Sequence, residues 1–148
     1  MSDTTNLALS PIEQFVGAWR LLSFETEAQD TGERRPFFGL APKGRLVVLP
    51  EGVLIVIITA GGRQAPNSAE ERAGAFGSMV AYSGHITVTG GQLNTRVDIA
   101  WTEGWVGTTQ GRTFRFIGSR LELVTAWAPS PVAPERIGRG ILSWEREA

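Results

Sequence analysis

The chain has 148 residues, no cysteine and a formal net charge of −1. This length is enough for one domain with a complete hydrophobic core. The lack of cysteine excludes disulfides, thiolate metal sites and cysteine nucleophiles, and it suits a reducing compartment. A nearly neutral chain without a basic run offers little for nucleic-acid binding, which depends on neutralising phosphates.

The beginning of the chain carries no targeting pattern. Residues 1–14 contain neither a basic n-region nor an apolar h-region, so we expect no secretory signal. We predict a flexible segment over residues 1–12 and a single domain over residues 13–148. The most apolar stretch, residues 46–59, is interrupted by Pro50-Glu51-Gly52 and is shorter than the roughly 20 residues of a membrane span. We therefore predict a cytoplasmic protein without a membrane span.

Strand patterns dominate the rest of the chain. Apolar and polar residues alternate, and two-residue links such as Gly90-Gly91 and Gly118-Ser119 are typical of antiparallel hairpins. The predicted strands are 19–27, 45–49, 53–59, 81–89, 92–102, 106–117, 121–127 and 137–146. One helical window, residues 68–79, begins with Ser68 as a cap. The pattern predicts an all-β fold, an antiparallel up-and-down barrel of about eight strands with one short helix.

Tryptophans mark both ends of this predicted sheet. Gly17-Ala18-Trp19-Arg20 opens the first strand, and Trp144-Glu145-Arg146 closes the last. In a sheet closed on itself, Trp19 would plug one end, and the Arg146 guanidinium over its ring would contribute roughly 1 kcal/mol. The alternative is two unrelated surface tryptophans.

The strand over residues 53–59 is apolar on both faces. One face would fill the barrel, and the other needs a cover because large exposed apolar patches are uncommon in monomers. We expect the helix over residues 68–79 to provide that cover, together with a contact in a homodimer.

Several motifs resemble those of the bacterial and fungal lipocalin-like domain family. They are matched in the family's order and span almost the whole chain: Gly17-Ala18-Trp19-Arg20-Leu21-Leu22-Ser23-Phe24, Pro42-Lys43-Gly44-Arg45-Leu46, Glu70-Glu71, Ala81-Tyr82-Ser83-Gly84, Trp105-Val106-Gly107-Thr108-Thr109-Gln110-Gly111-Arg112 and Leu142-Ser143-Trp144-Glu145-Arg146. The resemblance implies a small calycin-type barrel. It says less about function, since most members are uncharacterised.

One position departs from the family pattern. The family usually carries a histidine on the strand before the Trp-x-Gly-Thr motif, and this chain has Thr95 there. Any chemistry that depends on that histidine in relatives is lost or moved in this protein.

Arg112 is the main candidate for a functional residue. It is in phase with Phe114 and Phe116 on the predicted strand 106–117, so it should face the interior. An interior cation is costly to bury unless an anion answers it. Arg112 would either anchor a carboxylate or enolate ligand or form an internal ion pair with Glu25, which is in phase with Trp19 and Leu21.

Further candidates follow from the same alternation. The interior face of strand 92–102 carries Leu93, Thr95, Val97, Ile99 and Trp101, and Gln110 shares the face of Arg112. Tyr82 faces inward, and its hydroxyl needs a partner, either a ligand oxygen or a backbone carbonyl. The predicted ligand-binding residues are Arg112, Gln110, Tyr82, Thr95, Trp101, Phe114 and Trp127. Ordinary core packing is the alternative for the tryptophans.

His85, the single histidine, is a weaker catalytic candidate. Tyr82, Gly84, Ile86 and Val88 form the apolar face of its strand, which places His85 on the outside. With one histidine and no cysteine, the chain offers no pattern of metal ligands. We predict no metal and no cofactor.

Two functional classes fit these residues. The first is a protein that binds a small hydrophobic molecule, with a carboxylate or other polar head, in the barrel. The second is a cofactor-independent isomerase, cyclase or dehydratase of secondary metabolism, acting on a polyketide-like or terpenoid molecule through Glu25, Tyr82 and Arg112. A third option is an interaction module whose barrel is filled by large side chains; a filled barrel would support it, whereas an empty, deep pocket with a polar cluster would support the first two classes.

Overall fold

The computed structural model describes residues 11–130 and 133–147. Most of the predicted flexible segment, residues 1–10, lies outside the described residues. Within the described residues, no helix is long and apolar enough to cross a membrane. The described elements are β1 (Gly17–Ala28), β2 (Arg34–Pro36), β3 (Lys43–Val48), β4 (Val53–Thr59), α1 (Ala69–Gly77), β5 (Met79–Thr89), β6 (Gln92–Ala100), β7 (Thr109–Ile117), β8 (Arg120–Val124), β9 (Ala128–Pro129) and β10 (Ile137–Arg146), with short 3₁₀ turns at Glu13–Phe15 and Glu103–Trp105.

Eight of these strands form a closed antiparallel barrel. Their order around the barrel is β1, β3, β4, β5, β6, β7, β8 and β10, and β10 pairs with β1 to close it. The strands β2 and β9 extend the edges of β1 and β10. The predicted eight-stranded barrel is therefore confirmed. The two short strands were missed because two or three residues cannot display an alternating pattern.

The 3₁₀ turn Glu13–Phe15 covers one end of the barrel, called here the closed end. Phe15 is fully buried and packs against Phe114, with ring centroids 4.9 Å apart. Trp19 is 1 % exposed, and its Nε1 donates to the Phe15 carbonyl oxygen at 2.9 Å. The Arg146 guanidinium carbon lies 4.2 Å from the centroid of the Trp19 ring. The predicted Trp19 plug under Arg146 is confirmed.

Gly17 makes room for that arginine. Its φ of +130° lies in a region that side chains rarely adopt, and a Cβ there would lie 2.8 Å from Arg146 Nη1. Arg146 itself donates to the carbonyl oxygens of Val16 at 2.6 Å and Gln14 at 2.8 Å. The Gly-x-Trp motif therefore serves the closure between the first and last strands.

Two β-bulges change which residues face the interior. In β1 the register shifts between Leu21 and Ser23, so Leu22 is an extra residue opposite β10. In β6 the shift against β5 leaves Asp98 as the extra residue. Gly84 lies opposite this second bulge, where a Cβ would collide with the carbonyl oxygen of Arg96. Beyond each bulge, the alternation between inside and outside is reversed.

The helix α1 is close to its prediction but does not have the expected role. Ser68 caps it by accepting a hydrogen bond from the Glu71 backbone N–H at 3.1 Å. No residue of α1 is buried, and Ile55 and Ile57 on the outer face of β4 remain 46 % and 48 % exposed. The prediction that the helix covers this face is wrong, because α1 buries none of its own residues and leaves both isoleucines about half exposed. The homodimer contact stays a prediction.

Candidate ligand-binding cavity

A cavity of about 500 Å³ occupies the barrel between the closed end and the loops that follow β1, β6 and β8. These loops form the opposite end, called here the mouth, because β1 starts at the closed end. The lining is mainly apolar and includes Leu54, Val56 and Ile58 of β4, the strand of which one apolar face was predicted to fill the barrel. The aromatic lining residues are Phe24, Phe37, Tyr82, Trp105 and Trp144, and the polar ones besides Tyr82 are Thr95, Thr109, Gln110, Arg112 and Thr125.

Arg112 lies on the inner face of β7 and lines this cavity, as the alternation predicted. Its Nη1 donates to the carbonyl oxygen of Gly111 at 2.9 Å. Among residues 11–130 and 133–147, no carboxylate oxygen lies within 4.0 Å of the guanidinium. A partly buried cation without an anionic partner is energetically costly.

The predicted alternative, an ion pair between Arg112 and Glu25, is wrong. Glu25 follows the bulge at Leu22, which turns Phe24 into the cavity in its place. The Glu25 side chain is 36 % exposed, and its Oε1 lies 3.9 Å from Arg34 Nη1. The structure therefore brings Tyr82 and Arg112 together and leaves Glu25 outside the cavity.

Tyr82 also lines the cavity and packs against Trp105, with ring centroids 5.2 Å apart. Burial raises the pKa of the Tyr82 phenol, and the nearby Arg112 guanidinium offsets part of that increase by its charge. The phenol is therefore protonated at neutral pH and can donate a hydrogen bond to an anion held by Arg112.

Thr95 and Gln110 also line the cavity, as predicted. They lie opposite each other in the β6–β7 pairing, and Thr95 is 3 % exposed. Gln110 Nε2 donates to Thr108 Oγ1 at 2.9 Å, and Thr108 Oγ1 donates to the Trp105 carbonyl oxygen at 2.6 Å. This chain of hydrogen bonds connects a cavity side chain to the loop at the mouth.

Three predicted aromatic ligand contacts lie elsewhere. Phe114 faces inward, but Phe15 fills the space beneath it, so it belongs to the packed closed end. Trp101 follows the bulge at Asp98 and packs against Trp105, with centroids 5.0 Å apart, outside the cavity lining. Trp127 lies beyond the end of β8, where it is 38 % exposed with Arg139 over its ring at 4.3 Å.

His85 lies on the outer face of β5, as predicted. Its side chain is 69 % exposed, and Nδ1 lies 3.4 Å from Asp98 Oδ2. Within the described part of the chain, no group of three histidine or carboxylate side chains is arranged to hold a metal ion.

Sequence reasoning missed four aromatic residues of the lining, namely Phe24, Phe37, Trp105 and Trp144. Phe24 was assigned to the outside because the bulge at Leu22 leaves no trace in the alternation. Trp105 stands in the Trp-x-Gly-Thr motif, which was the available signal. Trp144 was assigned to barrel closure alone, yet it also lines the cavity, and its Nε1 has no hydrogen-bond partner within the described residues.

Comparison with known families agrees with this architecture. Residues 16–147 match the model of a family described as lipocalin-like domain. No curated protein matches the sequence.

Proposed function

Because the chain belongs to the lipocalin-like domain family, we propose that its barrel binds a small hydrophobic molecule that carries an anionic head. One observation carries the proposal. Arg112 lines the cavity, and no carboxylate among the described residues pairs with it. An anionic head seated on Arg112 would supply the missing charge.

The surroundings of Arg112 support this assignment. Tyr82 can donate a second hydrogen bond to the same anion, because burial raises the pKa of its phenol. Charge-assisted hydrogen bonds are about twice as strong as neutral ones. Most of the remaining lining is apolar or aromatic, and a volume of about 500 Å³ is in the range of pockets for small organic ligands.

Catalysis on a polyketide-like or terpenoid molecule is the alternative. Of the predicted acid/base set, Tyr82 and Arg112 line the cavity and Glu25 does not. The lining formed by the described residues contains no Asp, Glu or His to act as a general base. These positions favour binding over catalysis.

The test compares apolar carboxylates with neutral amides of the same size. Trp105 and Trp144 line the cavity, so a bound ligand should change tryptophan fluorescence and raise thermal stability by linkage. We expect the acids to bind more tightly by roughly 1.5–3 kcal/mol, the value of a hydrogen bond to a charged group. Equal affinity for acids and amides would contradict the proposal.

Two variants assign the preference to one arginine. Arg112→Gln should abolish the preference for acids while the fold is retained. Arg115→Gln is the matched control, because Arg115 lies on the same strand, is 69 % exposed and pairs with Glu122. It removes the same charge without touching the cavity, so the preference should remain. If both variants lose the preference for acids equally, that preference reflects the overall charge of the protein and not binding of the acid group by Arg112.

A further inference from the structure

The orientation of the Gln110 amide is fixed by its neighbours. Thr108 Oγ1 lies 2.6 Å from the carbonyl oxygen of Trp105, which can only accept. The single hydroxyl proton of Thr108 is therefore committed to that carbonyl. Towards Gln110 the hydroxyl can only accept, so the amide nitrogen must face Thr108, as its 2.9 Å contact shows.

The amide oxygen of Gln110 is consequently left for another partner. None of the described residues donates a hydrogen bond to Gln110 Oε1. Directly across the β6–β7 pairing, Thr95 is 3 % exposed, and its hydroxyl forms no hydrogen bond within the described residues. Both residues line the cavity. The Thr95 hydroxyl and the Gln110 amide oxygen are therefore available to a ligand group in the cavity beside them.

The position of this pair relative to Arg112 defines the ligand further. Gln110 and Arg112 are two residues apart on the inner face of β7, a spacing of about 6–7 Å along a strand. Arg112 offers only donors, whereas Gln110 Oε1 offers only an acceptor. The two positions therefore bind different groups of one molecule. Arg112 binds an anionic oxygen, and Gln110 Oε1 binds a hydroxyl or N–H at a short distance from it.

We infer that the ligand is an organic acid that also carries a hydrogen-bond donor, a hydroxyl or N–H group, which Gln110 and Thr95 recognise. The inference rests on the proposed function, because Arg112 must hold the acid group. A methyl ether or ketone at the donor position would face the lone pairs of Gln110 Oε1 and bind more weakly. Thr108 acts as a positioning residue that sets this selectivity through the amide.

The experiment uses naphthalene carboxylates as probes. Each acid with a hydroxyl on the distal ring is paired with its methyl ether, and binding is followed by tryptophan fluorescence. We expect one hydroxyl position to bind about fivefold more tightly than its ether, the effect of one neutral hydrogen bond. Gln110→Met should reduce that ratio to about one while the preference for acids over amides is retained. Thermal denaturation checks that the variant is folded.

A second variant tests the positioning role. Thr108→Val should lower the hydroxyl-to-ether ratio, because the amide of Gln110 is then free to rotate. Thr113→Val, on the outer face of β7, is the control and should leave the ratio unchanged. A ratio that survives Gln110→Met overturns the inference. If the protein prefers acids to amides but does not distinguish hydroxyls from ethers, only the donor inference is overturned. If acids bind no better than amides, the proposed function is overturned as well.

Discussion

The closed end and the cavity of this barrel each contain an arginine and a tryptophan, yet they treat these residues differently. At the closed end, Arg146 donates to two backbone carbonyls and covers Trp19, whose Nε1 is bonded to Phe15. In the cavity, the only hydrogen bond that the Arg112 guanidinium makes to the described residues is to the carbonyl oxygen of its neighbour Gly111. Trp144 Nε1 has no partner within the described residues.

Under the proposed function, this difference separates stability from ligand recognition within one domain. Polar groups that are satisfied by the protein contribute to folding, and polar groups that are left unsatisfied in a cavity lower stability until a ligand satisfies them. Substitutions at the closed end should therefore change stability, whereas substitutions in the cavity should change ligand preference.

The largest expected effect is at Trp19. Trp19→Ala should lower the free energy of unfolding by roughly 3–5 kcal/mol, as for other buried aromatic residues. Urea denaturation measures this change. Trp127→Ala is the comparison variant, because Trp127 is 38 % exposed, and it should cost clearly less than Trp19→Ala. A loss below about 1 kcal/mol for Trp19→Ala would show that the plug is not structural.

Substitution of the two arginines should change the free energy of unfolding to different extents. Arg146→Gln removes charged hydrogen bonds to Val16 and Gln14 and the contact with Trp19, so it should cost about 1–2 kcal/mol of unfolding free energy. Arg112→Gln should change that free energy by less than about 1 kcal/mol, because no buried carboxylate loses its partner. Chemical denaturation of both variants makes the comparison, and a large loss for Arg112→Gln would reveal a structural role.

Tyr82 reports on the cavity directly, because it is the only tyrosine of the chain. Its phenol should ionise above the ordinary pKa of 10.0, since burial raises the pKa. Arg112→Gln should raise the pKa of Tyr82 further, because the guanidinium lowers it. Phenolate absorbance in a pH titration gives both values, with Arg115→Gln as the control.

The same shift predicts the alkaline limb of stability. A raised folded pKa means that the stability associated with Tyr82 is present below the ordinary pKa and is lost as the pH rises through the folded value. Tyr82→Phe should therefore weaken the alkaline decline in unfolding free energy. An unshifted titration in the unmutated protein would contradict the burial of the phenol.

The smallest effect is expected from ion pairs at the surface, which occur at both ends. Arg139, with help from Arg34, lowers the pKa of Glu27 at the mouth, and Arg45 lowers that of Glu147 at the closed end. Their contribution is present above the ordinary carboxyl pKa and is lost as the pH falls through the lowered value. Glu27→Gln and Glu147→Gln should each cause a small, salt-sensitive loss of stability at neutral pH that disappears in acid. If one of these two substitutions lowers stability much more than the other, surface ion pairs also contribute to the difference in stability between the closed end and the mouth.

The alternation of the sequence was sufficient to predict the eight barrel strands and the inward position of Arg112, and the tryptophan motifs at its two ends predicted the closure by Trp19 and Arg146. Alternation failed where the pairing is irregular. Leu22 and Asp98 are extra residues in their strands, and a bulge depends on the partner strand, which a single-strand pattern does not contain. For that reason Glu25 was placed inside and Phe24 outside.

Alternation also could not predict how far along the barrel axis an inward residue lies. Phe114 and Arg112 share one face of β7, but only Arg112 reaches the cavity, because Phe15 packs against Phe114. The position of Phe15 depends on the 3₁₀ turn before β1, and nothing in the β7 pattern indicates it. The unpaired state of Arg112 likewise became visible only with its neighbours in place.

The pairing of β1 with β10 joins the first long strand of the barrel to the last. During synthesis, Trp19 leaves the ribosome well before Arg146, so the indole has no cover until nearly the whole domain has been made. Strand pairings between such distant segments also form slowly, because a long loop must close first. The nascent chain therefore exposes Trp19 throughout elongation. During this interval, chaperone binding and aggregation compete with closure of the barrel.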